Sequence, residues 1–233
     1  MPYTISIIIP AINEATTLPT LLSFLNTVPG REQIAEIIVY DGNSTDDTIA
    51  IAASFGVIII KSEKQGRARQ MNLGASIATG DVLYFIHADT IPPASFVLDI
   101  QKTVNEGFDL GRYCTKFDSS KLILGINAFF SRLDLFICYG GDQTLFVSRE
   151  LFNSIGGFNA EMLIMEEYDL VTRAKTKARY KIMQKPVLIS ARKFETNSWI
   201  KVQRTNYLII KMYKKGTPQD VLAEKYKQLL RYW

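Results

Sequence analysis

Four short aliphatic runs near the start of the chain, each followed by a stretch with helical spacing, leave few folds open. They are Ile5 to Pro10, with Ser6 its only polar residue, then Ile37 to Tyr40, Val57 to Ile60 and Val82 to Ile86. Strands this apolar must be covered on both faces. Between them, Leu18, Leu21, Leu22 and Leu25 recur at helical spacing, with Pro19 tolerable in a first turn. Ser44 followed by Asp47 resembles a capping box, opening a helix that stops at Gly56. Ala68, Met71 and Ala75 mark a third helix ending near Thr79-Gly80, and a fourth follows Pro92-Pro93. This βαβαβαβ order predicts a mostly parallel sheet with helices on both faces.

In such sheets ligands bind beyond the carboxyl ends of the strands. The sequence places Asn13-Glu14 after the first strand, Asp41 after the second and Asp89 after the fourth. Three acids from separate strands converging on one crevice make a site rather than a core. Gly42 permits a tight turn, and free N–H groups at the next helix start suit an anion or a ribose. Asp41 is read as a ligand residue, whereas Ser44 and Asp47 are read as caps. Arg67 and Arg69 stand near a helix start, where positive charge opposes the helix dipole unless an anion binds. His87-Ala88-Asp89 ends a buried strand, and its carboxylate suits Mg2+ or Mn2+ bridging phosphate oxygens. Glu166-Glu167-Tyr168-Asp169 puts acids side by side. Their repulsion raises one pKa if the site is partly buried, and a carboxylate there can serve as a general base on an acceptor hydroxyl.

Composition narrows the functions open to these groups. The single histidine, His87, excludes a His-rich metal cage, and two cysteines, Cys114 and Cys138, make no disulfide framework and read as small buried hydrophobes. A net charge of +4 is too mild for a nucleic-acid binder but suits a nucleoside diphosphate or an anionic membrane surface. No secretory leader and no membrane-span pattern are visible, so a cytoplasmic protein is expected, with contact at the inner face of the cell membrane left open.

The second half is less regular. Leu110 to Phe117 and Thr144 to Val147 read as strands, Arg149 to Ile155 and Asp169 to Ala178 as helices, and two short strands are expected around Ile182 and Val187-Leu188. Lys121 to Tyr139 is apolar with Arg132 and Asp134 inside it. Trp199 to Tyr213 and Pro218 to Tyr232 read as two amphipathic helices. The first mixes Trp, Ile and Tyr with Lys and Arg, as an interfacial helix or a subunit contact of a homo-oligomer would.

Taken in order, these clusters resemble a family 2 glycosyltransferase of the GT-A type. Its pattern is P-x-x-N-E, D-x-x-S-x-D, a D-x-D-like signature and a later acidic motif. Here these read Pro10 to Glu14, Asp41 to Asp46, His87-Ala88-Asp89 and Glu166-Glu167. A compact bacterial branch with G-R-x-x-Q-M-N, H-A-D-T, G-D-Q and G-G-F is similar to Gly66 to Asn72, His87 to Thr90, Gly141 to Gln143 and Gly156 to Phe158. The resemblance implies transfer of a sugar from a nucleotide-diphosphate donor, most often UDP-linked, to an acceptor hydroxyl with inversion. It implies nucleotide contacts at Pro10, Asn13, Glu14, Asp41, Arg67, Gln70 and His87, and a Mn2+ or Mg2+ site at Asp89. It further implies a general base at Glu167, or else Glu166, and acceptor contacts at Gly141, Asp142 and Gln143.

The expected organisation is one catalytic domain over 1–233. Its nucleotide-binding half is 1–110, its acceptor half 111–195, and amphipathic helices occupy 196–233. An apolar or lipid-linked acceptor would suit the tail. His87 replaces the first acid of the signature, which leaves one metal carboxylate. Only Gln203-Arg204 remains of a Q-x-x-R-W motif, which argues against processive synthesis. The competing readings are a nucleotidyltransferase and a nucleotide-sugar-binding protein without turnover. Ala11-Ile12-Asn13-Glu14 lacks the glycine-rich basic loop of the first, and no G-x-G-x-x-G supports a dehydrogenase.

Overall fold

A computed structural model describes residues 2–61, 66–140 and 144–230. Its strands are β1 (Ile5–Ala11), β2 (Ile34–Asp41), β3 (Ile58–Lys61), β4 (Val82–Phe85), β5 (Thr90–Ile91), β6 (Leu110–Asp118), β7 (Leu145–Ser148) and β8 (Tyr180–Ser190). Its α-helices are α1 (Leu18–Thr27), α2 (Thr48–Ser54), α3 (Arg67–Ile77), α4 (Phe96–Asn105), α5 (Leu124–Phe130), α6 (Arg149–Ser154), α7 (Glu166–Ala174), α8 (Lys193–Thr196), α9 (Trp199–Lys214) and α10 (Gln219–Leu229). The strands form one sheet in the order β3-β2-β1-β4-β7-β6-β8-β5. β1 pairs in parallel with both β2 and β4, and β7 runs antiparallel between β4 and β6. Because β8 is parallel to β6, its carboxyl end faces the same way as those of β1, β2 and β4.

Side-chain alternation along β1 builds the two layers. Ile5, Ile7 and Ile9 enter a core with Leu21, Leu25, Val97 and Ile100, beneath α1 and α4. Ile8 enters the opposite core with Met71, Phe152, Leu170 and Val171, beneath α3, α6 and α7. A third cluster of Leu124, Phe194, Val202 and Leu230 seats the C-terminal helices. Cys114 and Cys138 are buried free thiols, as their composition suggested.

Several expectations are corrected. The two short strands near Ile182 and Val187 are one strand, β8, interrupted by a register shift that pairs Tyr113 with Met183 but Cys114 with Pro186. Pro186 has no N–H for the ladder, so the chain bulges there and the periodicity breaks without ending the strand. Thr90-Ile91, just ahead of Pro92-Pro93, is extended and pairs with β8. The helix expected from Asp169 begins at Glu166, with its acids in the first turn. Asp47 is the N-cap residue of α2 but its side chain makes no capping hydrogen bond, and Ser44 lies ahead of the cap. Ser44 Oγ instead accepts the Asn13 N–H at 2.9 Å, and Asp46 Oδ1 accepts the Thr48 N–H at 3.0 Å.

Candidate functional site

At the ends of β1 and β2 the loops lock together. Asn13 and Asn43 hold φ of 53° and 73°, a left-handed backbone that asparagine tolerates. Asn13 Oδ1 accepts the Thr45 N–H at 2.8 Å, so this side chain is committed to the loop. Asp41 is buried. Its Oδ2 accepts the N–H groups of Asn43 and Ser44, each at 3.0 Å, while Oδ1 is buried with no hydrogen-bond partner. A turn-shaping aspartate thus keeps one oxygen for something else, because a buried unpaired acceptor is costly. Gly42 leaves room beside it for the Gln70 amide, whose Nε2 a Cβ there would meet at 2.2 Å.

A cleft of about 70 Å³ opens at these strand ends, lined in part by Pro10, Glu14, Arg67, Gln70, His87, Asp89 and Arg192. Arg192, just past the carboxyl end of β8, grips Glu14 through both nitrogens, Nη1 to Oε2 at 3.0 Å and Nη2 to Oε1 at 2.6 Å. Its Nη2 also stands 3.1 Å from Asp89 Oδ2. The Thr17 hydroxyl donates to Glu14 Oε2 at 2.6 Å. Glu14 is therefore turned to Arg192 and Thr17 as well as to the cleft.

A second, much smaller cavity of about 10 Å³ shares Pro10 and His87 with the first and is completed by Met71, Phe85, Phe158 and Glu167 among others. Glu166 and Glu167 begin α7, after Met165 in a left-handed turn with φ of 69°. The Glu166 side chain is 3% exposed and lies 3.5 Å from Arg67 Nη1. Glu167 is 13% exposed, with Oε1 3.8 Å from His87 Nε2. Burial, reinforced by the Glu167 charge, pushes the Glu166 carboxyl up to about 7. Burial also works on Glu167, but His87 and Arg67 outweigh it and hold that carboxyl below its usual value. The two acids divide roles: one keeps its proton near neutrality, the other stays ionised and faces a cavity. Tyr168 behind them packs so closely on Gly140 that a Cβ there would come 1.8 Å from its ring.

The structure therefore brings Glu14, Arg67, Gln70, His87, Asp89 and Glu167 around two adjoining cavities, with Pro10 in their common wall and Glu166 buried beside Arg67. Asn13 serves the loops, and Asp41 is buried and lines neither cavity. Arg67 and Arg69 lie against carboxyl groups of the chain, Glu166 and Glu161 respectively. Gly141, Asp142 and Gln143 lie outside the described residues. Arg192 was not anticipated. Its signal is the strand-end rule that found Asp41 and Asp89, but using it requires knowing that β8 runs parallel to β4.

Among the described residues, no group of three or more His, Cys, Asp or Glu side chains is arranged to hold a metal ion. A fully protein-held cation does not fit. A cation shared between Asp89 and phosphate oxygens does fit the donor set, since Mg2+ needs only one or two carboxylates beside substrate phosphates.

Comparison with known proteins agrees with this architecture. The fold is similar to that of S. aureus TarS 1-349 in complex with UDP-GlcNAc, with a TM-score of 0.69 at 18% identity over 81% of this chain. The chain spans 59% of that TarS chain. It is also similar to the mannosyltransferase PcManGT from Pyrobaculum calidifontis in complex with GDP-Man and Mn2+, with a TM-score of 0.68 at 17% identity, covering 97% of this chain and 70% of that one. The fold is of the GT-A glycosyltransferase class. In sequence, the chain is 30% identical over 190 residues to a PGL/p-HBAD biosynthesis glycosyltransferase of Mycobacterium bovis (strain BCG / Pasteur 1173P2), covering 72% of this chain and 68% of that protein. Residues 6–131 match the profile of Glycosyl transferase family 2. The chain belongs to that family, whose chemistry is glycosyl transfer.

Proposed function

We propose that the chain is an inverting glycosyltransferase that moves a sugar from a nucleotide-diphosphate donor, UDP-linked by first choice, to an acceptor hydroxyl. The observation that carries the reading is the placement of Glu167 across a shared wall, Pro10 and His87, from the cleft holding Asp89, Arg67 and Arg192. In the reaction, the acceptor oxygen attacks the anomeric carbon as Glu167 takes its proton. The bond from that carbon to the diphosphate breaks on the opposite face, and its electron pair leaves with the diphosphate. Arg67 and Arg192 face the charge that builds there. Asp41 Oδ1 accepts an N–H of the base through the turn at Gly42, and His87 orients Glu167. A Mn2+ or Mg2+ ion held by Asp89 with the donor phosphates would supply further neutralisation of the diphosphate. Gly141, Asp142 and Gln143 remain candidates for acceptor contacts. We take 1–233 to work as one catalytic unit with a donor half over 1–110 and an acceptor half over 111–195.

The test is a thermal-shift panel of UDP, GDP, TDP and CMP, each with and without Mn2+. A melting temperature raised by one diphosphate, and raised further by the metal, is expected. No response to any nucleotide overturns the reading.

A further inference from the structure

Among the described residues, the four most exposed large apolar side chains, Leu122, Tyr207, Ile200 and Phe129, lie on α9 and on α5 and the turn before it, and none of them lines either cavity. Leu122, Ile126, Phe129 and Leu133 follow each other at spacings of four, three and four residues, along α5 and the turns flanking it. Leu122 is 95% and Phe129 61% exposed, and Ile123 and Phe130 lie exposed beside them. The backbone beneath is fixed. Arg112, fully buried, donates to the carbonyls of Ser131 at 2.7 Å and Leu133 at 3.3 Å, and to the Tyr180 hydroxyl at 2.7 Å. The apolar row is therefore held outward by its own tether.

Helix α9 lies alongside. Trp199 Nε1 donates to Asn127 Oδ1 of α5 at 2.6 Å, and Leu124 and Val202 share one cluster. The outer stripe of α9 reads Ile200, Arg204, Tyr207, Lys211 and Lys214, with Ile200 64% and Tyr207 70% exposed. Residues 199–215 contain five Lys or Arg (Lys201, Arg204, Lys211, Lys214 and Lys215) and no Asp or Glu. Asp134, the acid in the apolar row's own segment, is neutralised by Lys175 at 2.6 Å. Contiguous apolar surface of this kind marks a contact site.

We infer that the α5–α9 face docks the protein on an anionic lipid bilayer. Apolar side chains beside an acid-free basic helix match the acyl boundary and charged headgroups that meet at such a surface. A second copy fits worse, because an isologous contact through this face would set the α9 cations against one another. The face continues toward the acceptor side of the site. The Ile137 carbonyl accepts the Tyr168 hydroxyl at 3.3 Å, one residue beyond Glu167. Among the described residues no helix is long and apolar enough to cross a membrane, so the contact is peripheral.

The test is flotation of the full chain with phosphatidylcholine vesicles, with and without phosphatidylglycerol. Binding to the anionic vesicles alone is expected, weakened by salt. Arg204→Glu and Lys211→Glu should each lower partitioning at least about fivefold, the effect of losing one surface cation. Phe129→Ser combined with Leu122→Ser should remove the part of binding that resists salt. All four side chains point to solvent, so the melting temperature and its nucleotide shift should stay as in the unmodified chain. A protein that shifts with nucleotide but does not float at low salt overturns the membrane inference while leaving the transferase reading intact. Equal binding by the charge-reversed variants overturns it as well. So does a dimer in sedimentation that Phe129→Ser dissociates while the unmodified chain ignores vesicles.

Discussion

The part of the sheet built by β1 to β4 and the part built by β6 to β8 hold their polar groups in different ways. In the first, loops close on nearby backbone. Asp41 accepts N–H groups two and three residues on, Asp46 accepts from Thr48, and Asn13 ties one strand end to the next. In the second, single guanidinium groups span long distances. Arg112 gathers Tyr180, Ser131 and Leu133, Arg173 holds the carbonyls of Ile155 and Gly157, and Arg192 reaches Glu14, 178 residues away. The first part can assemble its loops once its strands pair. The second depends on a few guanidinium groups, Arg112 buried and Arg173 and Arg192 partly exposed, whose partners arrive only with the full fold.

Three substitutions probe that contrast. The largest effect is expected at the junction of the two parts. Glu167→Gln keeps the shape of the cavity but removes the proton acceptor, so kcat should fall by about 10² to 10⁴ while the nucleotide-induced melting shift is retained. Because its carboxyl is held low, the acid limb of the pH–rate profile should lie below the ordinary carboxylate range. Turnover unchanged by the substitution would move the base elsewhere, first to Glu166.

Next comes Arg112→Met, which removes a buried donor from three carbonyls, those of Tyr113, Ser131 and Leu133, and from the Tyr180 hydroxyl. A loss of about 3 kcal/mol or more in urea unfolding is expected. A loss as small as that of a surface residue would show that the second part does not rest on this cation.

The smallest effect concerns pH. Folded Glu166 keeps its proton up to about 7, whereas its ordinary value is 4.5. Between those values the folded state binds the extra proton, so this group's contribution to stability is complete below 4.5 and disappears as pH rises through 7. The change is at most about 3 kcal/mol. Glu166→Gln should flatten the dependence of unfolding free energy on pH across that window, and a parallel curve for the variant would refute the assignment.

Much of the part built by β1 to β4 was legible because its signals are local. An Ile run has one consistent structure when both faces are covered, and an acid just past such a run lands at a strand end. That logic placed Asp41, Asp89 and the parallel order of β1, β2 and β4 before any coordinates. It failed for β8, where Pro186 interrupts the pattern but not the strand, and for α2, where a competing hydrogen bond to Asn13 took the Ser44 hydroxyl. It could not see Arg192, because a lone arginine near a strand of unknown direction is indistinguishable from any surface cation.

By itself the sequence determined the alternation of elements, the two-sided burial of β1 and the family to which the chain belongs, since these depend on periodicity and on motifs in order. Only the tertiary structure decided which of two neighbouring glutamates keeps its proton. Only it decided that Arg192 meets Glu14 and Asp89, and that the apolar row of α5 stands beside the basic stripe of α9. Those outcomes depend on burial and on distances between residues far apart in the chain, quantities that no local pattern carries.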